Sequence, residues 1–230
     1  MKVFRDRRQA GALLGEALLK HHSELETLVL GLPRGGVVVA EEVAKLLKLP
    51  LDVILLRKLP YPLQSELAVG AVAEHGAVFI NDPFQKAVRE DPGWLEEIIR
   101  EQRALIRDRA VLYRPHRHAR DLKDKTVILV DDGIATGATM KVAILDARAA
   151  GAAKVVVAVP VAALSSLREL EAEADEVVCL DAPEDFLAVG QSYLSSTQSP
   201  MRRSSPSLIG ILDMLLPRQA RRFSHPNPST

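Results

Sequence analysis

Aromatic side chains are scarce: only 4% of the chain is Phe, Trp or Tyr. Proteins that hold single-stranded nucleic acid stack bases on such rings, so the scarcity counts against that class. Net charge is absent too. The 30 basic and 30 acidic side chains balance, leaving no global field to attract a polyanion or an anionic membrane. The single cysteine, Cys179, sits in the apolar run Glu-Val-Val-Cys-Leu. One thiol excludes an intrachain disulfide framework and a thiolate zinc cage, and it reads as a small core residue. No apolar run approaches the ~18 residues of a membrane span, and the first eleven residues lack a signal-peptide apolar core. The expectation is a soluble, cytoplasmic protein with no nucleic-acid and no membrane partner.

What the chain does have is apolar content in a regular order. With 230 residues, 47% of them hydrophobic, it can bury one good core but not two large ones. Apolar runs at 27–32, 51–56, 126–130, 154–161 and 176–180 read as strands. Between them lie segments of helical period. In residues 36–49, Val39, Val43, Leu46 and Leu47 fall on one side. Residues 138–151 form a second such segment, with Gly151 as its stop, and 163–174 a third. Continuous apolar strands separated by helices imply a parallel sheet covered on both faces. In such open α/β sheets ligands bind beyond the C-terminal strand ends. Asp6 is the expected N-cap of an N-terminal helix. Asp91-Pro92 opens a long helix ended by Pro115, with Trp94, Ile98, Leu105 and Leu112 turned to the core. His75, in Ala-Glu-His-Gly-Ala-Val-Phe, reads as part of a turn between two strands. The tail, 195–230, has one acidic residue, Asp213, among many Ser, Pro and Arg, and reads as disordered.

The most informative stretch is Val-Ile-Leu-Val-Asp-Asp-Gly-Ile-Ala-Thr-Gly-Ala-Thr-Met, residues 127–140. A strand runs into two adjacent carboxylates, Asp131 and Asp132, and then into a small-residue loop before a helix. Unpaired N–H groups at a helix N-terminus cradle a phosphate. Gly133 and Gly137 permit close backbone approach, and Thr136 and Thr139 add hydroxyls. No Gly-Lys-[Ser/Thr] follows, so this is not a Walker A loop, and the acids precede the loop rather than following it by ~20 residues as in a dinucleotide site. A ligand with a diol close to a terminal phosphate fits, and a ribose 5-phosphate is one: carboxylates accept from the hydroxyls while the loop holds the phosphate.

These residues resemble the phosphoribosyl-pyrophosphate (PRPP) motif of the type I phosphoribosyltransferases, in the variant carried by a group of predicted bacterial phosphoribosyltransferases of unsettled substrate. The resemblance implies an α/β type I phosphoribosyltransferase fold, with an open, mostly parallel sheet flanked by helices, a small hood and a mobile lid loop. It places Asp131 and Asp132 on the ribose hydroxyls, and Gly133 with Ala135, Thr136, Gly137, Ala138 and Thr139 around the 5′-phosphate. A second anion loop is expected for the pyrophosphate. Pro33-Arg34-Gly35-Gly36, after the strand at 27–32, supplies it, with an Arg fork and two glycines; the resembled family often has a cis non-proline peptide here, near Arg34. Arg57 and Lys58, directly after the run at 51–56, add two cations. Residues 59–67 resemble the lid, in which Glu66 is either a polar contributor or a solvated loop acid. The hood would draw on Phe4–Arg7 and on Ala-Pro-Glu-Asp-Phe-Leu-Ala-Val-Gly-Gln-Ser-Tyr, where Phe186 serves equally as a stacking surface for a planar base or as core packing.

The implied reaction moves ribose 5-phosphate from PRPP to a nitrogen acceptor, nucleobase-like, with release of pyrophosphate. Mg²⁺ is the implied cofactor, held by PRPP oxygens and water with no dedicated protein cage, Asp131 and Asp132 being its available protein ligands. The alternative is a non-catalytic PRPP-binding regulatory protein. A homodimer is common among the resembled enzymes, though nothing in the sequence reads out the assembly. The expected layout is a phosphoribosyltransferase domain over 1–194, its hood including about 182–194, followed by the atypical tail. Relatives continue after Ala-Val-Gly-x-x-Tyr with an acidic helix, whereas this chain has Ser-Pro-Met-Arg-Arg-Ser-Ser-Pro-Ser-Leu. A shifted reading frame would produce that departure, and the gene's nucleotide sequence tests it.

Overall fold

The computed structural model describes residues 2–61, 64–114 and 118–195, with the backbone alone at 64–66. The expectations for Pro115 and for the tail beyond 195 lie outside the described residues. In chain order the elements are α1 (Arg7–Ala17), β1 (Thr27–Gly31), α2 (Gly35–Leu47), β2 (Leu51–Val53), β3 (Leu56–Tyr61), β4 (Gln64–Ala73), β5 (Val78–Ile80), α3 (Gln85–Glu90), α4 (Gly93–Tyr113), β6 (Thr126–Val130), α5 (Ala138–Ala149), β7 (Lys154–Val161), α6 (Leu164–Glu171) and β8 (Glu176–Asp181).

Five of the strands form a wholly parallel sheet in the order β2-β1-β6-β7-β8. Its strands are apolar on both faces because both faces are covered. Leu28, Leu30, Val127, Leu129, Val155 and Val157 pack against Met140, Ala143, Ile144 and Ala147 of α5. The alternate residues Val29, Ile128, Val130 and Val156 pack against Leu14 of α1 and Val39, Val43 and Leu47 of α2. Each Val, Leu, Ile or Met among them contributes ~1.5–3 kcal/mol on burial. β1 and β6 are neighbours in register, Gly31 opposite Val130. The loops leaving their C-terminal ends therefore emerge side by side, and this places the site. Asp6 caps α1 as expected, accepting from the Gln9 N–H at 2.8 Å.

The run at 51–56 is not one strand. β2 ends at Val53, Ile54 still donates to the Gly31 carbonyl at 3.2 Å, and the chain then enters a second, antiparallel sheet, β3-β4-β5. The sequence hides this switch because Ile54 and Leu55 stay apolar while joining two different core clusters. Arg57 and Lys58 consequently lie within β3 rather than at a strand end. The segment expected as a lid loop is largely strand as well: Leu59 pairs with Gly70, Pro60 with Ala68 and Tyr61 with Gln64, with register shifts on either side of Pro60. β3 is the edge of its sheet, where a proline is tolerated.

In α4 the buried side differs from the one expected. Leu95, Ile98, Gln102, Ile106 and Tyr113 are buried, Trp94 packs against them, and Leu105 and Leu112 are 41% and 44% exposed. The spacing 98-105-112 is a strict seven, which drifts ~20° per heptad around a straight helix; the buried set follows 3.6. The expected turn at His75 is present between β4 and β5. It is anchored by Asp146 of α5, a fully buried carboxylate that accepts from the His75 N–H at 3.0 Å, the Ala77 N–H at 3.1 Å and His75 Nδ1 at 2.7 Å. Cys179 is half-buried and its thiol donates to the Asp181 carbonyl at 3.1 Å; burial pushes its pKa up, as for an inert core thiol. Among the described residues no helix is long and apolar enough to cross a membrane.

Candidate functional site

β6 delivers Asp131 and Asp132 to the C-terminal edge of the sheet. The loop that follows is fixed from two sides: the Ile134 N–H donates to the Val161 carbonyl at 2.9 Å, and the Ser166 hydroxyl of α6 donates to the Ala135 carbonyl at 2.6 Å. Gly137, at φ +73°, is the N-cap of α5, a left-handed conformation that a side chain rarely adopts. Among the described residues no side chain caps this helix, so Thr136 is not spent on capping. The first N–H groups of α5 remain available to an anion, beside the exposed Thr136 and Thr139.

The second loop meets the first. The Pro33–Arg34 peptide is cis, α2 begins at Gly35, and among the described residues its N-terminus also has no side-chain cap. The Leu32 N–H donates to the Val130 carbonyl at 2.9 Å. A Cβ at Gly36 would stand 2.7 Å from both the Val130 carbonyl oxygen and Asp131 Cα. One at Gly35 would overlap the Asp132 carboxylate. Two uncapped helix N-termini and an acid pair thus share one edge.

The two aspartates differ. Burial, then repulsion from Asp132, holds Asp131 well above the usual carboxylate range. Asp132 is paired: Arg7 Nε donates to Oδ2 at 2.7 Å and Nη2 stands 2.5 Å from the same oxygen. The Arg7 guanidinium lies over the Tyr193 ring, 4.9 Å from its centroid, and the Tyr193 hydroxyl donates to the Asp132 carbonyl at 2.5 Å. Burial, followed by the Asp132 charge, raises the Tyr193 pKa, keeping that hydroxyl a donor.

The two segments expected to form the hood are joined to each other. Phe4 bridges Tyr193, with the Phe4 N–H donating to the Ser192 carbonyl at 2.8 Å and the Leu194 N–H to the Phe4 carbonyl at 2.9 Å. Their rings are 5.8 Å apart. Val189 lies against Gly133. Phe186 is half-buried in the same segment. The Glu66 side chain lies outside the described residues.

Arg34 is exposed at the second loop. Arg57 Nε donates to Gln102 Oε1 of α4 at 3.0 Å. Burial and the Arg109 charge lower the Arg57 pKa, and burial raises that of Tyr113 while Arg109 and Arg34 oppose it. Arg34, Arg57 and Arg109 therefore act on one neighbourhood. Lys58, the next residue on β3, leaves the opposite face and is exposed. Among the described residues no three His, Cys, Asp or Glu side chains converge to hold a metal.

Sequence reasoning missed Ser166, Gln102 and Arg109; it placed Arg7 and Tyr193 only as members of the two hood segments, without their partners. Gln102 and Arg109 share a helical face with the apolar Ile106, and a polar residue inside an apolar stripe is a readable signal. Arg7 lies 125 residues from Asp132, and no local pattern announces that pairing.

The phosphoribosyl transferase domain family matches residues 6–196 of the chain. Two curated relatives from Mycobacterium tuberculosis, "Putative phosphoribosyl transferase MT0597" (strain CDC 1551 / Oshkosh) and "Putative phosphoribosyl transferase Rv0571c" (strain ATCC 25618 / H37Rv), are each 44% identical over 213 residues, 93% of this chain and 47% of theirs. The chain thus spans about half the length of these relatives. The crystal structure of TT1426 from Thermus thermophilus is 48% identical, with a TM-score of 0.72 over 87% of this chain and 94% of that one. With this sheet, these loops and these relatives, the chain belongs to the type I phosphoribosyltransferase family.

Proposed function

We propose that the chain transfers ribose 5-phosphate from PRPP to a nitrogen acceptor, nucleobase-like, and releases pyrophosphate. The observation that carries this is the acid pair set between two uncapped helix N-termini on adjacent parallel strands. The α5 N-terminus with Thr136 and Thr139 takes the 5′-phosphate, Asp131 and Asp132 take the ribose hydroxyls, and residues 33–36 with Arg57 and Arg109 take the pyrophosphate. The two carboxylates offer the hard oxygen ligands that Mg²⁺ accepts, and the ion would add charge neutralisation on the pyrophosphate. In the reaction the bond between C1 and the pyrophosphate oxygen breaks, its electron pair leaving with pyrophosphate. The acceptor nitrogen forms the new bond to C1 and gives up its proton. Catalysis here is positioning and electrostatic stabilisation by fixed N–H groups and cations. The N-terminal segment at 4–7 and the segment at about 182–194 form the hood of a domain covering 1–194, with Phe186 on its acceptor side. The cytoplasm is the proposed compartment and a homodimer the proposed assembly.

The test is pyrophosphate release from PRPP and Mg²⁺ across a panel of bases and amines. Release with one acceptor class supports the transferase. Tight PRPP binding with no release on any acceptor assigns the regulatory role instead. Unchanged PRPP affinity in the Asp131→Asn, Asp132→Asn double variant sinks the site itself.

A further inference from the structure

Arg7 is more tightly placed than a surface arginine needs to be. It opens α1 directly after the Asp6 cap, one edge of its guanidinium faces Asp132 Oδ2, and its face lies on Tyr193. Tyr193 is in turn tied to the Asp132 carbonyl and to Phe4. Both partners of the ion pair are largely covered, their side chains 20% and 16% exposed. The guanidinium also reaches the other anion loop: a Cβ at Gly35 would stand 2.8 Å from Arg7 Nε. Arg7 thus lies where the acid pair meets the loop at 33–36. It pairs with Oδ2 of a carboxylate that also faces the Asp131 side chain. Its Nη1 group has no protein acceptor among the described residues. A permanently charged fork with N–H groups to spare, beside an uncapped helix N-terminus, suits phosphate oxygens.

We propose that Arg7 is a ligand of the leaving pyrophosphate, donating hydrogen bonds to it while Asp132 holds the fork in place. The inference rests on the PRPP-transferase reading and adds to it a residue contributed by the N-terminal hood. Negative charge grows on the departing oxygen as the C1–O bond breaks, and a cation held there stabilises the separation. Arg7 moves no proton.

The test compares ligands that differ in the pyrophosphate. Wild type, Arg7→Gln and Arg7→Lys are titrated with PRPP, inorganic pyrophosphate and ribose 5-phosphate in the presence of Mg²⁺, with thermal melting to show that each variant is folded. Arg7→Gln should weaken PRPP and pyrophosphate about 10- to 100-fold, the worth of a charge-assisted contact, and leave ribose 5-phosphate within about 2-fold. Arg7→Lys should fall between. Equal losses for all three ligands would make Arg7 only a support for Asp132 and overturn the proposal; so would no loss for any. If wild type binds no PRPP, the transferase reading fails first, and that outcome is distinct because it shows before any variant is made.

Discussion

Gly35 and Gly36 are adjacent, yet a methyl group on each should fail in a different way. At Gly36 the added Cβ would meet backbone, the Val130 carbonyl oxygen and Asp131 Cα, both at 2.7 Å. Ordinary contact begins near ~3.5 Å, so the overlap is roughly 0.8 Å against atoms fixed in the β6 ladder. Overpacking of that kind costs ~1–3 kcal/mol, and a domain of this size loses ~2–4 °C of Tm per kcal/mol. Gly36→Ala should therefore melt about 2–12 °C lower. At Gly35 the methyl would meet the end of a side chain, the Asp132 carboxylate, which can rotate away. Doing so breaks its pairing with Arg7, a largely covered pair, so ~1–3 kcal/mol of stability is lost here too. What sets Gly35 apart is binding: at the proposed site a displaced Asp132 cannot accept from the ribose, and PRPP affinity should drop by about 10-fold or more, in line with a lost hydrogen bond to a charged group. Differential scanning fluorimetry and isothermal titration with Mg²⁺ and PRPP separate the two effects. Gly35→Ala binding PRPP as wild type does would show that the convergence of Gly35, Asp132 and Arg7 is not where the ribose sits.

Asp131→Asn should raise Tm at neutral pH while removing PRPP binding. Its carboxyl has a folded pKa above the unfolded one, so its contribution to stability is full below the unfolded pKa and lost as pH rises through the folded value. An unchanged or lower Tm refutes this. Ile106→Ala should cost ~2–5 kcal/mol in urea unfolding and Leu105→Ala under ~1 kcal/mol; the reverse order would restore the seven-residue stripe. His75, whose pKa is raised first by its hydrogen bond with Asp146, should likewise lose its stabilising contribution as pH rises from about 6.5 through its folded pKa. Asp146→Asn should flatten that dependence and destabilise by ~1–3 kcal/mol, since the buried carboxylate also holds the His75 and Ala77 N–H groups. A wild-type-like pH profile in that variant would dismiss the pairing.

How much of this was legible in the sequence follows from how local each signal is. The run into Asp131-Asp132 and the loop to Thr139 could be read because a strand end, an acid pair and a helix start are all encoded within fourteen residues, and β6, β7 and the start of α5 fall where their patterns place them. The switch of sheets at Ile54 could not be read, because burial on either side of it looks the same in an apolar run. The buried stripe of α4 differs from the expected one by a single residue of phase. Periodicity alone permits that error, because Leu105 and Ile106 are both apolar and only packing shows which of them is covered. Arg7 is the instructive case. Its sequence places it, with Phe4–Arg7, in the hood but names no partner, and only the parallel order β1-β6 with α1 packed beside α2 brings it onto Asp132. Motifs report the parts of a site that one loop must supply. Groups that a distant element swings onto that loop carry no spacing of their own, so a charge balance at the motif is the better guide: two adjacent carboxylates at a buried strand end require a cation from somewhere in the fold.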